Sequence, residues 1–302
     1  MARETMQSDS RTRQLRLGAG LMVVAMTVLG LFPTGARIAY AGGSTPETVA
    51  VARHLFTLFF VIALMPTEDG GRRFALALPR RMWPAAIGLG ALLAVYSWAY
   101  ISAIAYIPVS LAVLLLYTFP AQVVLMTALA GTERATPVRV LALAVAFSGV
   151  ALAVGVNAAE PDPRGVALGL LAAFGLALVT VLVARLSGMR DRRATTANFA
   201  LIAAILTAAA VSAGPGFAAP QTATAWTGLI FAGAAAGLGV TLFFIALPLL
   251  GPVRTALLSN LEPVVATLGA VAVLGEQPGI GQFAGIVLVI CAIVLIQRTD
   301  RQ

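Results

Sequence analysis

The stretch PVVATLGAVAVLGE occupies residues 263–276, and PAQVVLMTALAGTE occupies residues 120–133. Each begins with proline and reaches a glutamate thirteen residues later, and the two lie 143 residues apart. Upstream, PVSLAVLLLYTF (108–119) faces PVRTALLSNLE (252–262) with a one-residue gap. After each glutamate comes a short break and another apolar run. The chain therefore divides into two copies of one unit, residues 1–158 and 159–302.

What that unit is follows from composition. Of 302 residues, 60% are apolar and 11% are charged, and the mean hydropathy is +0.94. A soluble domain carries roughly 25% charged residues, so this chain lacks the charge to coat a soluble surface. A helix needs ~20 apolar residues to cross the hydrocarbon core. Ten such spans are read at 16–39, 48–65, 83–106, 108–130, 137–156, 165–186, 196–214, 225–248, 253–274 and 280–297. Barrel strands would alternate in runs of about ten residues; these runs are longer and apolar on every face. The fold class is an all-α membrane protein of ten transmembrane helices. Five spans per copy is an odd number, so the second copy is inverted relative to the first. Inverted repeats are a recurring plan of secondary transporters, with the substrate near the midplane between copies.

All twenty basic residues are arginine, and seventeen fall in the two tails, the alternate loops or the span ends beside them. The positive-inside rule then places both termini in the cytoplasm, for a multi-pass protein of the cell inner membrane. It also accounts for the net charge of +8 without nucleic acid. The sequence AYA at 39–41 has the form of a signal-peptidase site, but the apolar run before it is about twice a signal core. Cleavage would also leave nine spans, so the run is read as the first span. Cys291 is the single cysteine, which excludes an intrachain disulfide and a thiol metal site. There is no lysine for a phosphate-binding loop and no paired His/Cys set for a metal. No cofactor is expected. An enzyme acting on lipid phosphates within the membrane would need clustered acids, histidine or serine beside several arginines; one acid lies at mid-span. A non-transporting scaffold is the other alternative of a different class.

The pattern of a span ending in EP or FP, an apolar run, and then GE or GTE resembles the EamA domain of the drug/metabolite transporter superfamily. The segment YISAIAYIPVSLAVLLLYTFPAQVVLMTALAGTE (100–133) is similar to the family's most recognisable stretch, and PETVAVARHLF (46–56) resembles the start of its second span. The resemblance covers nearly the whole chain. It implies alternating access around a cavity lined mainly by the first four helices of each half, and export of a small metabolite, most readily an amino acid. A facilitator or exchanger with a different substrate is the alternative within the same fold. Many bacterial members carry tryptophan in the first span; here that span holds Phe32-Pro33. Expected partners are a small-molecule substrate, the lipid bilayer and protons as coupling ion, with a homodimer admitted as an assembly.

Candidate site residues come next. The ninth span enters near Val253, so Glu262 lies about 14 Å in at 1.5 Å per residue. A charge there costs roughly 3 kcal/mol. It must face water, face a partner or carry a proton. Ser259 and Asn260 can hydrogen-bond beside it, and Pro263 denies a donor to the carbonyl four residues back. Two readings stand: a substrate or proton site, or a structural acid pinned to another helix. In the first copy Phe119 takes the acid's place and Tyr117 that of Asn260. Tyr117 and Gln122 are candidate binding residues, with packing as the alternative. Tyr96, Trp98 and Tyr100 form an aromatic group in the third span, with positions 96 and 100 on one helical face; cavity lining is one reading, an interfacial belt or packing the other. Arg53, near the outer end of the second span, is a fork for an anionic group or a snorkelling side chain. Pro33, Gly35, Pro120 and Pro263 are candidate kinks or gates. Gly165-x3-Gly169 and Gly233-x3-Gly237 have the spacing of close helix packing. Glu133 and Glu276 are read as interfacial anchors or gate residues.

Overall fold

A computed structural model describes residues 2–64, 79–107, 112, 115–132, 136–154, 162–186, 192–212, 217–274 and 280–299. Glu133 and Glu276 lie outside them. Eleven helices are named in chain order: α1 (Ala2–Ala41), α2 (Pro46–Leu64), α3 (Trp83–Tyr106), α4 (Phe119–Leu129), α5 (Pro137–Val154), α6 (Pro163–Leu186), α7 (Arg192–Ser212), α8 (Ala223–Leu250), α9 (Pro252–Leu258), α10 (Leu261–Leu274) and α11 (Ile280–Thr299). Five of the described helices are long and apolar enough to cross a membrane. Four shorter apolar stretches, in α4, α5, α7 and α11, accompany them. Large apolar side chains such as Leu55, Phe59, Ile87, Leu129, Phe174 and Ile230 point outward. So wide an apolar exterior matches lipid rather than water.

The fourth and ninth spans are each broken in the middle. In the ninth, Ser259 and Asn260 form a turn between α9 and α10; in the fourth, Tyr117 and Thr118 form a turn before α4. The cause is the proline that follows each turn. Pro120 and Pro263 sit in the first turn of the new helix, where a missing N–H is tolerated. A backbone group left without a partner in hydrocarbon costs several kcal/mol, and here side chains and short-range bonds fill the gap. The Thr118 hydroxyl donates to the Leu115 carbonyl at 2.7 Å. The Ser259 hydroxyl donates to Thr255 at 2.9 Å, and the Asn260 amide to Leu257 at 2.9 Å. The Ser259 carbonyl, expected to be freed by Pro263, instead accepts from the Glu262 N–H at 3.0 Å. Pro33 lies inside α1, which continues as a helix through it.

Helix packing obeys the exchange of the two halves. α1 packs on α8 as α6 packs on α3, and α2 on α8 as α7 on α3. α1 meets α10 as α6 meets α4. The pairs α2–α7 and α5–α11 are each their own counterpart. The offset of 143 seen in the proline segments recurs in these contacts. Gly90 of α3 abuts Phe199 of α7, and Gly233 of α8 abuts Phe56 of α2. Both residues of one contact are shifted by 143 from both residues of the other. The glycines at 165, 169, 233 and 237 are all at close helix crossings, which is the packing role expected of their spacing. Gly35 serves the same purpose against Gly228 of α8: a Cβ there would lie 3.1 Å from the Gly228 carbonyl oxygen.

At Gly237 a Cβ would come within 2.5 Å of the Phe56 carbonyl carbon, and backbone cannot step aside. Gly237→Ala should therefore destabilise the protein by about 1–3 kcal/mol, the range for overpacking a tight contact. Gly88→Ala, where nothing lies within 4 Å, should cost nothing. Thermal unfolding of the two variants in detergent checks this.

Candidate functional site

The helices that carry the exchange contacts leave a cavity between the halves. Its volume is about 150 Å³, room for ~5 waters at ~30 Å³ each. The first half contributes Phe32 and Pro33 from α1, Arg53 from α2, Tyr96 and Tyr100 from α3, and Tyr117 and Phe119 from the fourth-span break. The second half contributes Leu176 from α6, Phe243 and Phe244 from α8, and Ser259, Glu262 and Pro263 from the ninth-span break. Most of the wall is apolar. Among the described lining residues Arg53 is the one base and Glu262 the one acid.

Each charge has a tyrosine beside it. The Arg53 guanidinium donates to the Tyr96 hydroxyl at 3.1 Å. Its central carbon also lies 5.8 Å from the ring centroids of both Phe32 and Tyr96, within the ~6 Å reach of a cation–π contact. On the other side the Tyr117 hydroxyl stands close to the Glu262 carboxyl. Tyr100 feels the charge of both Arg53 and Glu262. Among the described residues Arg53 and Glu262 form no ion pair with each other, although each feels the other's charge. Two unlike charges that stay apart in a low-dielectric space leave unspent attraction for a third party.

The sequence-predicted residues divide by position. Glu262, Ser259, Tyr117, Tyr96, Tyr100, Arg53, Pro33 and Pro263 line the cavity. Arg53, expected near the outer end of the second span, reaches Tyr96 on the cavity wall. Asn260 and Gln122 are outside the lining and brace the two breaks, Gln122 by donating to the Thr118 hydroxyl at 3.2 Å. Pro120 is buried at the start of α4. Trp98 is 54% exposed on the outer surface and is not on the cavity wall. Gly35 faces α8 as described above. Sequence reading overlooked Phe243 and Phe244. The repeat held the signal for one of them, since Phe243 lies 143 residues after Tyr100.

A family model described as "EamA-like transporter family" matches residues 16–155 and again residues 163–298. The chain belongs to the EamA-like transporter family. The two matches fall on the two helical halves that the contacts relate by exchange. The chain is also similar to a solved structure titled "Crystal structure of protein", with a TM-score of 0.77 at 21% identity, covering 94% of this chain and 99% of that one. At that identity the likeness speaks for the fold alone. No curated protein matches the chain.

A wet cavity and a lipid-facing surface can be told apart by thiol chemistry. In a Cys291→Ser background, Phe243→Cys and Ser259→Cys should react with a charged, water-borne thiol reagent. Trp98→Cys should react about tenfold more slowly, because the thiolate that reacts does not form in hydrocarbon. Equal rates at all three positions would contradict the assignment of the cavity.

Proposed function

We propose that this EamA-like transporter is a secondary carrier that exports a small metabolite, with amino acids as the substrate class, across the cytoplasmic membrane. One observation carries the reading. Among the described residues, the cavity at the joint of two inverted halves is lined by a single acid and a single base, each beside a tyrosine and neither paired with the other. An acid and a base kept in one cavity for structure alone would gain most by pairing with each other.

Alternating access fits the same joint. The halves meet along α1–α8, α3–α6 and the α2–α7 pair, and inverted halves can exchange conformations so that a central site faces each side in turn. Ligand binding shifts that exchange only as far as it differs between the two states. The breaks at Tyr117–Thr118 and Ser259–Asn260 supply the natural hinges, since each is a short segment where the helical ladder is already interrupted. The arginine distribution supports a reading with both termini in the cytoplasm. In this scheme Glu262 anchors the substrate or carries a coupling proton.

Overproduction should raise release of amino acids and tolerance of their toxic analogues. In proteoliposomes Glu262→Gln should lower transport by about tenfold or more, the scale of a lost charge-assisted hydrogen bond. It should also remove any response to a pH gradient. Unaltered transport with unaltered pH dependence in Glu262→Gln would rule out both roles for this residue.

A further inference from the structure

The two halves differ most where their symmetry would predict likeness. Under the offset of 143, Arg53 corresponds to Thr196, Glu262 to Phe119, and Tyr117 to Asn260. The packing around these positions keeps the correspondence, as the Gly90–Phe199 and Gly233–Phe56 contacts show. The frame is therefore duplicated while the charges are not. A cavity built from equal halves would offer two similar ends. Among its described lining residues, this one offers a cation on α2 and an anion at the ninth-span break.

We infer that the cavity binds a zwitterion in a single orientation, its carboxylate on Arg53 and its ammonium on Glu262. The inference rests on the amino-acid reading above and assigns a recognition role to each charge. The substrate carboxylate takes the fork of the Arg53 guanidinium, two of whose remaining N–H groups suit two oxygens. The ammonium donates to the Glu262 carboxylate. Tyr96 accepts a hydrogen bond from the arginine, which orients its fork before the ligand arrives, and Tyr117 stands beside the acid. The two charges of the ligand complete an alternating chain of charge between Arg53 and Glu262, and that chain removes the cost of keeping the two apart in a desolvated space. Phe243, Phe244 and Leu93 form the apolar part of the wall, where an uncharged side chain belongs. The volume of about 150 Å³ lies below the ~300 Å³ at which drug-sized pockets begin, which favours small neutral amino acids over larger solutes.

The test uses the purified full-length protein and isothermal titration calorimetry. L-alanine, L-threonine and L-leucine are the probes. For the tightest binder, the amine lacking the carboxylate and the acid lacking the ammonium are measured alongside. The amino acid should bind on the order of 10- to 100-fold more tightly than either analogue, as one charged hydrogen-bonded contact is lost in each. Arg53→Gln should bring the amino acid down to the affinity of the amine while leaving the amine itself unchanged. Glu262→Gln should do the same with respect to the acid. Arg53→Lys, which keeps the charge and loses the fork, should retain part of the preference, and it serves if Arg53→Gln does not fold. Three results would overturn the inference: analogues that bind as well as the amino acid, substitutions that weaken all three ligands equally, or no binding by any of the three amino acids. Counterflow of a broader set of metabolites in proteoliposomes separates the two proposals. Counterflow without the charge pattern removes the orientation alone; absence of counterflow with every metabolite removes the carrier reading.

Discussion

Everything in this molecule depends on how it tolerates two interrupted helices inside an apolar medium. Hydrocarbon offers no hydrogen bonds, so each broken turn must satisfy its own carbonyls and amides. Thr118 does this in the fourth span and Ser259 with Asn260 in the ninth. Because those breaks are stable, Tyr117 and Glu262 can stand at the ends of helical segments and meet across the cavity. An unbroken span would carry the same residues on a cylinder whose carbonyls are already used. The polar turns thus connect a backbone constraint to the chemistry of the site.

The duplicated frame supplies the rest. Glycines at matching positions let α3 approach α7 and α8 approach α2 to backbone distance. Such contacts act between rigid helices and carry little information about a ligand. The information lies in the few side chains that differ between halves. Arg53 against Thr196 and Glu262 against Phe119 turn a two-fold scaffold into a polarised cavity. The aromatic residues mediate between these roles, since Tyr96 and Tyr117 pack as rings while each carries a hydroxyl beside a charge.

Much of this was legible in the sequence, for reasons particular to certain residues. A proline and a glutamate repeated at a constant spacing revealed the duplication, because spacing survives when apolar residues drift among themselves. Glu262 stood out because an acid at mid-span has few bland explanations. Other features were hidden. Trp98 was grouped with Tyr96 and Tyr100, yet a step of two residues turns a helix by roughly 200°. Tyr96 and Tyr100 share the inward face, and Trp98 points to the exterior. Arg53 was legible as a cation near the outer end of its span, but its bond to Tyr96 was not, because a long side chain extends well away from its Cα. Phe243 and Phe244 were invisible among apolar neighbours, because composition does not tell a cavity wall from a packed core. The breaks themselves were only implied by proline, since the side chains that stabilise them act in three dimensions.

The central claim is that two five-helix units of opposite orientation enclose the cavity. Sided labelling tests it most directly. Single cysteines at Thr132, just after α4, and at Ile280, at the start of α11, occupy nearly corresponding places in the two copies. In intact cells, in a Cys291→Ser background, an impermeant thiol reagent should modify Ile280→Cys from outside and reach Thr132→Cys only after the membrane is opened. Modification of both from the same side would contradict the inverted arrangement.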